Sequence, residues 1–189
     1  MTQCPLQPWK LREAARAIHG GGIIAYPTEA VYGLGCDPLD GAAVRRLLAL
    51  KGRPAGKGLI LIAADFDQLR PYVGQLEKPL MKQVLESWPG PNTWILPAAR
   101  SLPGWLTGSH DSLAVRVTAH PVAAALCRRC NCPLVSTSAN PSGRRPARTS
   151  LAVRRLFPSG VDLIVSGEVG SLSRPTPIRN AASGRLVRA

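Results

Sequence analysis

Short apolar runs of strand length recur along this chain, separated by stretches whose apolar residues fall at helical spacing. Ile23-Ile24-Ala25-Tyr26, Leu59-Ile60-Leu61-Ile62, Thr93-Trp94-Ile95-Leu96, Pro133-Leu134-Val135 and residues 162–165 read as strands. Leu113, Val115 and Val117 alternate with Ala114 and Arg116, so Ser112 to Val117 is a strand with Arg116 facing away from its apolar side. Ile178 and the run Arg185-Leu186-Val187 add edge strands. Between these, Leu11, Ala14, Ala15 and Ile18 mark a helix from Trp9 to Ile18 that stops at Gly20-Gly21-Gly22. Asp40 is placed to cap a second helix carrying Val44, Leu47, Leu48 and Lys51. Leu80 to Ser87, Pro121 to Arg129 and a stretch capped near Ser150 supply more, with a short helical piece from Asp65 to Pro71. A chain of 189 residues with this alternation is long enough to bury a good core. It is expected to be one α/β domain over residues 1–189, since no linker or repeat divides it.

The connections carry the chemistry. Lys51-Gly52-Arg53-Pro54-Ala55-Gly56-Lys57 sets three cations on a Gly/Pro-rich loop between a helix and a strand. Such a loop suits a polyanion such as a nucleotide triphosphate, although a solvated basic loop is its commonest reading in isolation. Pro27-Thr28-Glu29-Ala30-Val31-Tyr32-Gly33-Leu34-Gly35-Cys36-Asp37-Pro38 follows neither period and is expected to be a shaped loop after a strand, where ligands gather in open α/β sheets. Ser136-Thr137-Ser138-Ala139-Asn140-Pro141-Ser142-Gly143 opens out of a strand and is dense in hydroxyl and amide donors. Those groups can hold phosphate oxygens or an amino-acid carboxylate, and they also make ordinary turns.

Charge is uneven. The chain has 24 Lys+Arg against 11 Asp+Glu, and from Ser112 onward twelve arginines face only Asp162 and Glu168. A basic face of this kind attracts nucleic acid or phosphorylated ligands; a compositional preference for Arg over Lys is the plainer account. The five cysteines, Cys4, Cys36, Cys127, Cys130 and Cys132, do not resemble a secreted disulfide framework. With no signal-like N-terminus and no membrane-length apolar stretch, the expected location is cytoplasmic.

Several familiar devices are absent from the sequence, namely the G-x-x-x-x-G-K-[ST] phosphate loop, the G-x-G-x-x-G fingerprint and the His-Glu-x-x-His zinc signature. Cys127, Cys130 and Cys132 lack a fourth ligand at standard spacing, so a structural origin is favoured over a zinc site. A Ser-His-Asp set from Ser138, His110 or His120, and Asp111 has no sequence order behind it. Trp88, Trp94 and Trp105 read as core or rim residues before base-stacking platforms.

Taken together, Pro27-Thr28-Glu29-Ala30-Val31-Tyr32-Gly33-Leu34-Gly35, Lys51-x-Arg53, Ser112-Leu-Ala-Val-Arg116 and Ser136-Thr-Ser138-Ala-Asn140-Pro-Ser-Gly143 resemble the YrdC/TsaC family, with order and spacing kept from about Ile23 to the C-terminus. The resemblance implies a twisted, mixed α/β open sheet with flanking helices around a large basic concave cavity. It implies an enzyme that makes threonylcarbamoyl-AMP from L-threonine, bicarbonate and ATP, releasing pyrophosphate. That product serves the N6-threonylcarbamoyl modification of adenosine 37 in tRNAs reading ANN codons. The family's catalytic constellation falls on Lys51, Arg53, Ser138 and Asn140. Thr28, Arg116, Ser136 and Thr176 correspond to its threonine pocket, and Lys57, Ser112 and Arg188 to the nucleotide side. The same resemblance implies TsaB, TsaD and TsaE as partners.

The chemistry fits those residue types. A carbamate oxygen attacks the α-phosphorus of ATP, so cations and donors matter more than a protein nucleophile. Arg116 is suited to pair bidentately with the threonine carboxylate. Mg²⁺ is expected to arrive on ATP, carried by phosphates and water, because no carboxylate cluster is evident and no metal ligand is assigned. Two other readings remain at this stage. One is a non-catalytic module holding double-stranded RNA or tRNA, for which Arg144, Arg145 and the net charge of +13 speak. The other is a relative with the same pocket and another carbamoyl acceptor.

Overall fold

The structure, a computed structural model, describes residues 6–188, so Cys4 lies outside the described residues. In chain order the elements are α1 (Pro8–His19), β1 (Ile24–Pro27), β2 (Tyr32–Gly35), α2 (Gly41–Lys51), β3 (Ile60–Ala63), α3 (Phe66–Leu69), α4 (Lys78–Glu86) and β4 (Thr93–Pro97). They continue with α5 (Gly104–Thr107), β5 (Ser112–Val117), α6 (Pro121–Cys130), β6 (Leu134–Ser138), α7 (Ser150–Leu156), β7 (Leu163–Ile164), β8 (Ile178–Asn180) and β9 (Leu186–Arg188). Among the described residues no helix is long and apolar enough to cross a membrane.

Local signals set the ends of these elements. The Asp40 carboxylate accepts from the N–H groups of Ala42 and Ala43 at 2.9 and 3.0 Å, satisfying two of the free donors at the start of α2. The same helix closes at Gly52, whose φ of 59° is left-handed and turns the chain into the basic loop. Thr149 caps α7 by accepting from the Ala152 N–H.

The strands form one mixed sheet in the order β7-β1-β2-β6-β3-β5-β4-β8-β9. β3 runs parallel to β5, whereas β6 is antiparallel to both β2 and β3. Two stretches differ from the sequence reading. The segment after Pro27 is not all loop, because Tyr32–Gly35 pairs antiparallel with β1. All four of its residues are buried, so no period of two shows in the sequence. A Cβ on Gly35 would lie 2.3 Å from the Val135 carbonyl oxygen, so glycine is what allows the neighbouring strand so close. The hydroxyl run also begins earlier than a loop would, since Ser136, Thr137 and Ser138 belong to β6.

Alternation along the strands divides the core between the two faces of the sheet. Ile24 and Tyr26 of β1, Ile62 of β3 and Leu134 of β6 pack under α1 and α6. Ala25, Leu34, Leu61, Val115 and Val135 face the opposite way, against α2 and α7. Cys127 and Cys130 belong to the α1/α6 layer. Among the described residues no group of three or more His, Cys, Asp or Glu side chains is placed to hold a metal ion. Trp94 is buried, and Trp88 and Trp105 pack against the core with their indole N–H groups donating to Asn92 and Pro38 carbonyls. These three tryptophans are packing residues.

Candidate active site

The helical cover stops short of one end of the sheet. Along β6 the covered face carries Leu134, and two and four residues later the same face presents Ser136 and Ser138. Across β3 the covered Ile62 is followed, on the same face, by Ile60 at the edge of a cavity of about 360 Å³. Period-two geometry thus turns an apolar core face into a polar wall.

Arg53, Lys57, Ser112, Arg116, Ser136, Ser138, Thr176 and Arg188 line this cavity, as does Thr28. These residues come from separate loops and strands, and the sheet brings them together. Thr28 is fixed by donating its hydroxyl to the Val31 carbonyl at 2.7 Å. Arg116 projects from β5 and is 5% exposed, so it is a buried cation rather than a rim charge. Its Nη1 donates to Thr176 Oγ1 at 2.6 Å and to Thr93 Oγ1 at 3.2 Å, and its Nη2 lies 3.2 Å from Glu29 Oε2. Arg188 reaches in from β9 and donates to the Thr176 carbonyl at 3.0 Å. Burial, and then the charges of Arg116 and Arg53, hold the Arg188 guanidinium below its ordinary pKa.

Arg53 donates to the carbonyls of Gly58 and Lys57, at 2.8 and 3.4 Å, which folds the basic loop back on itself. Lys51 and Asn140 do not line the cavity; they back its wall. The Lys51 ammonium donates to the carbonyl oxygens of Ser138 and, at 2.7 Å, Asn140. Its backbone carbonyl also accepts from the Ser142 N–H at 2.8 Å. Burial, and then Arg53, pull the Lys51 pKa down to about 8. The Asn140 amide donates to the carbonyls of Pro141 and Arg144, leaving its Oδ1 buried and without a partner.

Of the residues singled out for other roles, His110 lines the cavity and the rest fall elsewhere. His120 donates from Nε2 to the Glu168 carbonyl at 3.1 Å, and burial lowers its pKa. Among the described residues neither His110 nor His120 forms a hydrogen bond with Ser138, so no serine triad is assembled. Arg144, Arg145 and Arg148 are exposed and lie off the cavity wall. Sequence reasoning gave no role to Glu29 and Thr93, which contact Arg116 from distant segments, or to Thr118, which follows Arg116 by two residues and donates to Glu29. A buried acid within the Pro27–Pro38 segment was the available signal for Glu29.

A family model for the Sua5, YciO and YrdC proteins, described as telomere recombination, matches residues 16–189. The chain belongs to this family. The Sua5/YciO/YrdC relatives include the threonylcarbamoyl-AMP synthase of Halorhodospira halophila, 55% identical over 190 residues and matched along 100% of both chains. That of Nitrosococcus oceani is 54% identical over 185 residues, covering 98% of this chain and 99% of the relative. Among solved structures, P. abyssi Sua5 complexed with L-threonine superposes with a TM-score of 0.87 at 34% identity, over 93% of this chain and 52% of that one. The chain therefore spans about half the length of that Sua5 protein.

Proposed function

We propose that the cavity is the active site of a threonylcarbamoyl-AMP synthase, which joins L-threonine, bicarbonate and ATP and releases pyrophosphate. The observation that carries this reading is the convergence of Arg53, Lys57, Arg116 and Arg188 on one cavity walled by the hydroxyls of Thr28, Ser136, Ser138 and Thr176. Full-length identity of more than half to relatives bearing that name supports it.

Roles follow from chemistry. The attack of a carbamate oxygen on the α-phosphorus builds negative charge on the leaving pyrophosphate, and fixed cations lower that barrier. Arg53, Lys57 and Arg188 take the nucleotide phosphates, with Ser112 and Ser138 donating beside them. Arg116 holds the threonine carboxylate, next to Thr28, Ser136 and Thr176. Lys51 and Asn140 set the path of the loop that presents Ser138, through the carbonyl contacts described above. The cations and hydroxyls of the cavity wall suit phosphates and not a metal itself, so Mg²⁺ would be carried by ATP and would supply charge neutralisation there. The product is passed in the cytoplasm to the machinery that modifies tRNA, with TsaB, TsaD and TsaE as its members. Simple holding of RNA would not call for a buried arginine and a wall of hydroxyls.

The test is pyrophosphate release from ATP by the purified protein, with L-threonine and bicarbonate supplied or withheld. Release that requires both, with a threonylcarbamoyl-adenylate mass in the product, is expected. Release that ignores threonine would point to another acceptor, and salt-sensitive RNA binding without release to a holding module.

A further inference from the structure

We infer that Glu29, held in place by Thr118, is the positioning residue that presents Arg116 to the carboxylate of threonine, a role that rests on the synthase reading. The guanidinium of Arg116 has its N–H donors fixed in one plane. Nη1 uses both of its hydrogens, on Thr93 Oγ1 at 3.2 Å and Thr176 Oγ1 at 2.6 Å. Nη2 lies 3.2 Å from Glu29 Oε2, but Oε2 has no hydrogen-bond partner, so this contact balances charge without closing a directed bond. The Arg116 Nε–H is likewise buried and without a partner. The Nε and Nη2 hydrogens form the parallel pair that a carboxylate takes bidentately. The arrangement therefore neutralises and fixes the cation while its buried Nε–H keeps no partner.

Glu29 is itself held at both ends. Its Oε1 accepts from Thr118 Oγ1 at 2.6 Å, and the same hydroxyl oxygen accepts from the His120 N–H at 3.1 Å. The carboxylate can only accept, so the hydrogen of Thr118 is committed to it. Thr118 follows β5 two residues after Arg116 and is fixed by donating its own N–H to the Ala63 carbonyl at 3.0 Å. At the other end, the Glu29 carbonyl accepts from the Leu172 N–H, and Gly170 packs so tightly there that a Cβ would lie 2.5 Å from the same oxygen. The carboxylate is thus tied to two backbone segments, and through it so is a long, otherwise mobile side chain. Arg116 lines the cavity and Glu29 does not, which makes Glu29 a support and not a ligand. Ordering a cationic side chain before the ligand arrives removes part of the cost of binding.

The test compares the wild type with Glu29→Gln, Thr118→Val and Thr118→Ser in steady-state pyrophosphate release, with ATP and L-threonine varied separately. Glu29→Gln is expected to raise the KM for L-threonine about tenfold while the KM for ATP stays within about twofold. Thr118→Val, which keeps the side-chain shape and removes the donor, is expected to raise the threonine KM about threefold. Thr118→Ser, which restores the hydroxyl, should return it to the wild-type value. Should Glu29→Gln fail to fold, the Thr118 pair carries the comparison alone. An unchanged threonine KM, an equal rise in both KM values or a loss confined to kcat would overturn the positioning role. A wild type that releases pyrophosphate without regard to threonine would overturn the synthase reading, and the positioning role with it; that result is visible before any variant is made.

Discussion

Replacing Lys51 with methionine tests whether its ammonium organises the loop that carries Ser138 and Asn140. The side chain leaves the last turn of α2 and donates to the carbonyl oxygens of Ser138 and Asn140, the latter at 2.7 Å. Methionine keeps a similar apolar length and donates nothing. Two carbonyls then lose a charged partner, at about 1–3 kcal/mol each when the site stays dry. Relief from holding a cation out of water, the effect that pulls the Lys51 pKa down, offsets part of that loss. The net destabilisation is about 2 kcal/mol, which lowers Tm by roughly 4–8 °C in a chain of this size. The same loop backs the wall at Ser138, so kcat for pyrophosphate release is expected to fall on the order of a hundredfold as alignment is lost. Thermal unfolding and the release assay on one preparation measure both effects. A Lys51→Met protein with wild-type Tm and wild-type kcat would refute the clamp. A wild-type Tm with no turnover would mean that the ammonium acts on the substrate and that its carbonyl contacts carry no weight.

The same ammonium makes a pH prediction. Its pKa is about 8 in the folded protein against an ordinary 10.5, so the folded chain releases this proton before the unfolded chain does. The free energy of unfolding contributed by Lys51 therefore rises with pH between about 8 and 10.5, while turnover falls through about 8 as the charged clamp is lost. Urea titrations of wild type against Lys51→Met across that window check the sign, and a pH-independent difference between the two would contradict it. Gly35→Ala is expected to destabilise by about 3 kcal/mol, because the added Cβ meets the Val135 carbonyl at 2.3 Å and the Tyr26 ring at 2.9 Å. A wild-type Tm in that variant, read by calorimetry, would show that β2 and β6 separate more readily than their packing implies.

Helical spacing and end signals made α1, α2 and α6 legible, since each buries one face, and apolar runs of strand length marked most of the strands. Tyr32–Gly35 is buried on both faces and half glycine, so neither alternation nor an apolar run marks it, and it read as loop. Ser136 and Ser138 read as loop because hydroxyl residues favour turns; only the registration of β6 between β2 and β3 reveals them as a strand face emerging from under α6. The direction of Arg116 was legible from its alternation with Val115 and Val117, but its partners were not. Glu29, Thr93 and Thr176 come from remote segments that the sheet order brings together, and no local pattern ties them to β5. Lys51 and Arg53 are two residues apart and read as equivalent cations, yet the end of α2 separates them. Lys51 is still helical and points behind the wall, while Arg53, past the left-handed Gly52, lines the cavity.

That separation extends to the charge of the cavity as a whole. Arg116 is paired with an internal carboxylate, whereas Arg53, Lys57 and Arg188 take part in none of the ion pairs among the described residues. Arg53 and Arg188 donate instead to backbone carbonyls, which accept hydrogen bonds but cancel no net charge. Arg116 is therefore charge-balanced before any ligand binds, whereas Arg53, Lys57 and Arg188, the last of which shares Thr176 with Arg116, are not. An amino acid is a zwitterion with a single carboxylate, and a charge-balanced arginine with an unpartnered Nε–H suits it without gathering phosphate. A triphosphate carries several negative charges, and in the proposed roles its partners would be the unbalanced cations. Burial, and then the charges of Arg116 and Arg53, hold Arg188 below its ordinary pKa, and an incoming polyanion would relieve the repulsive part of that cost. Under the proposed roles, the buried acid Glu29 would bias Arg116 toward the single carboxylate of an amino acid and leave the unpaired cations for the triphosphate.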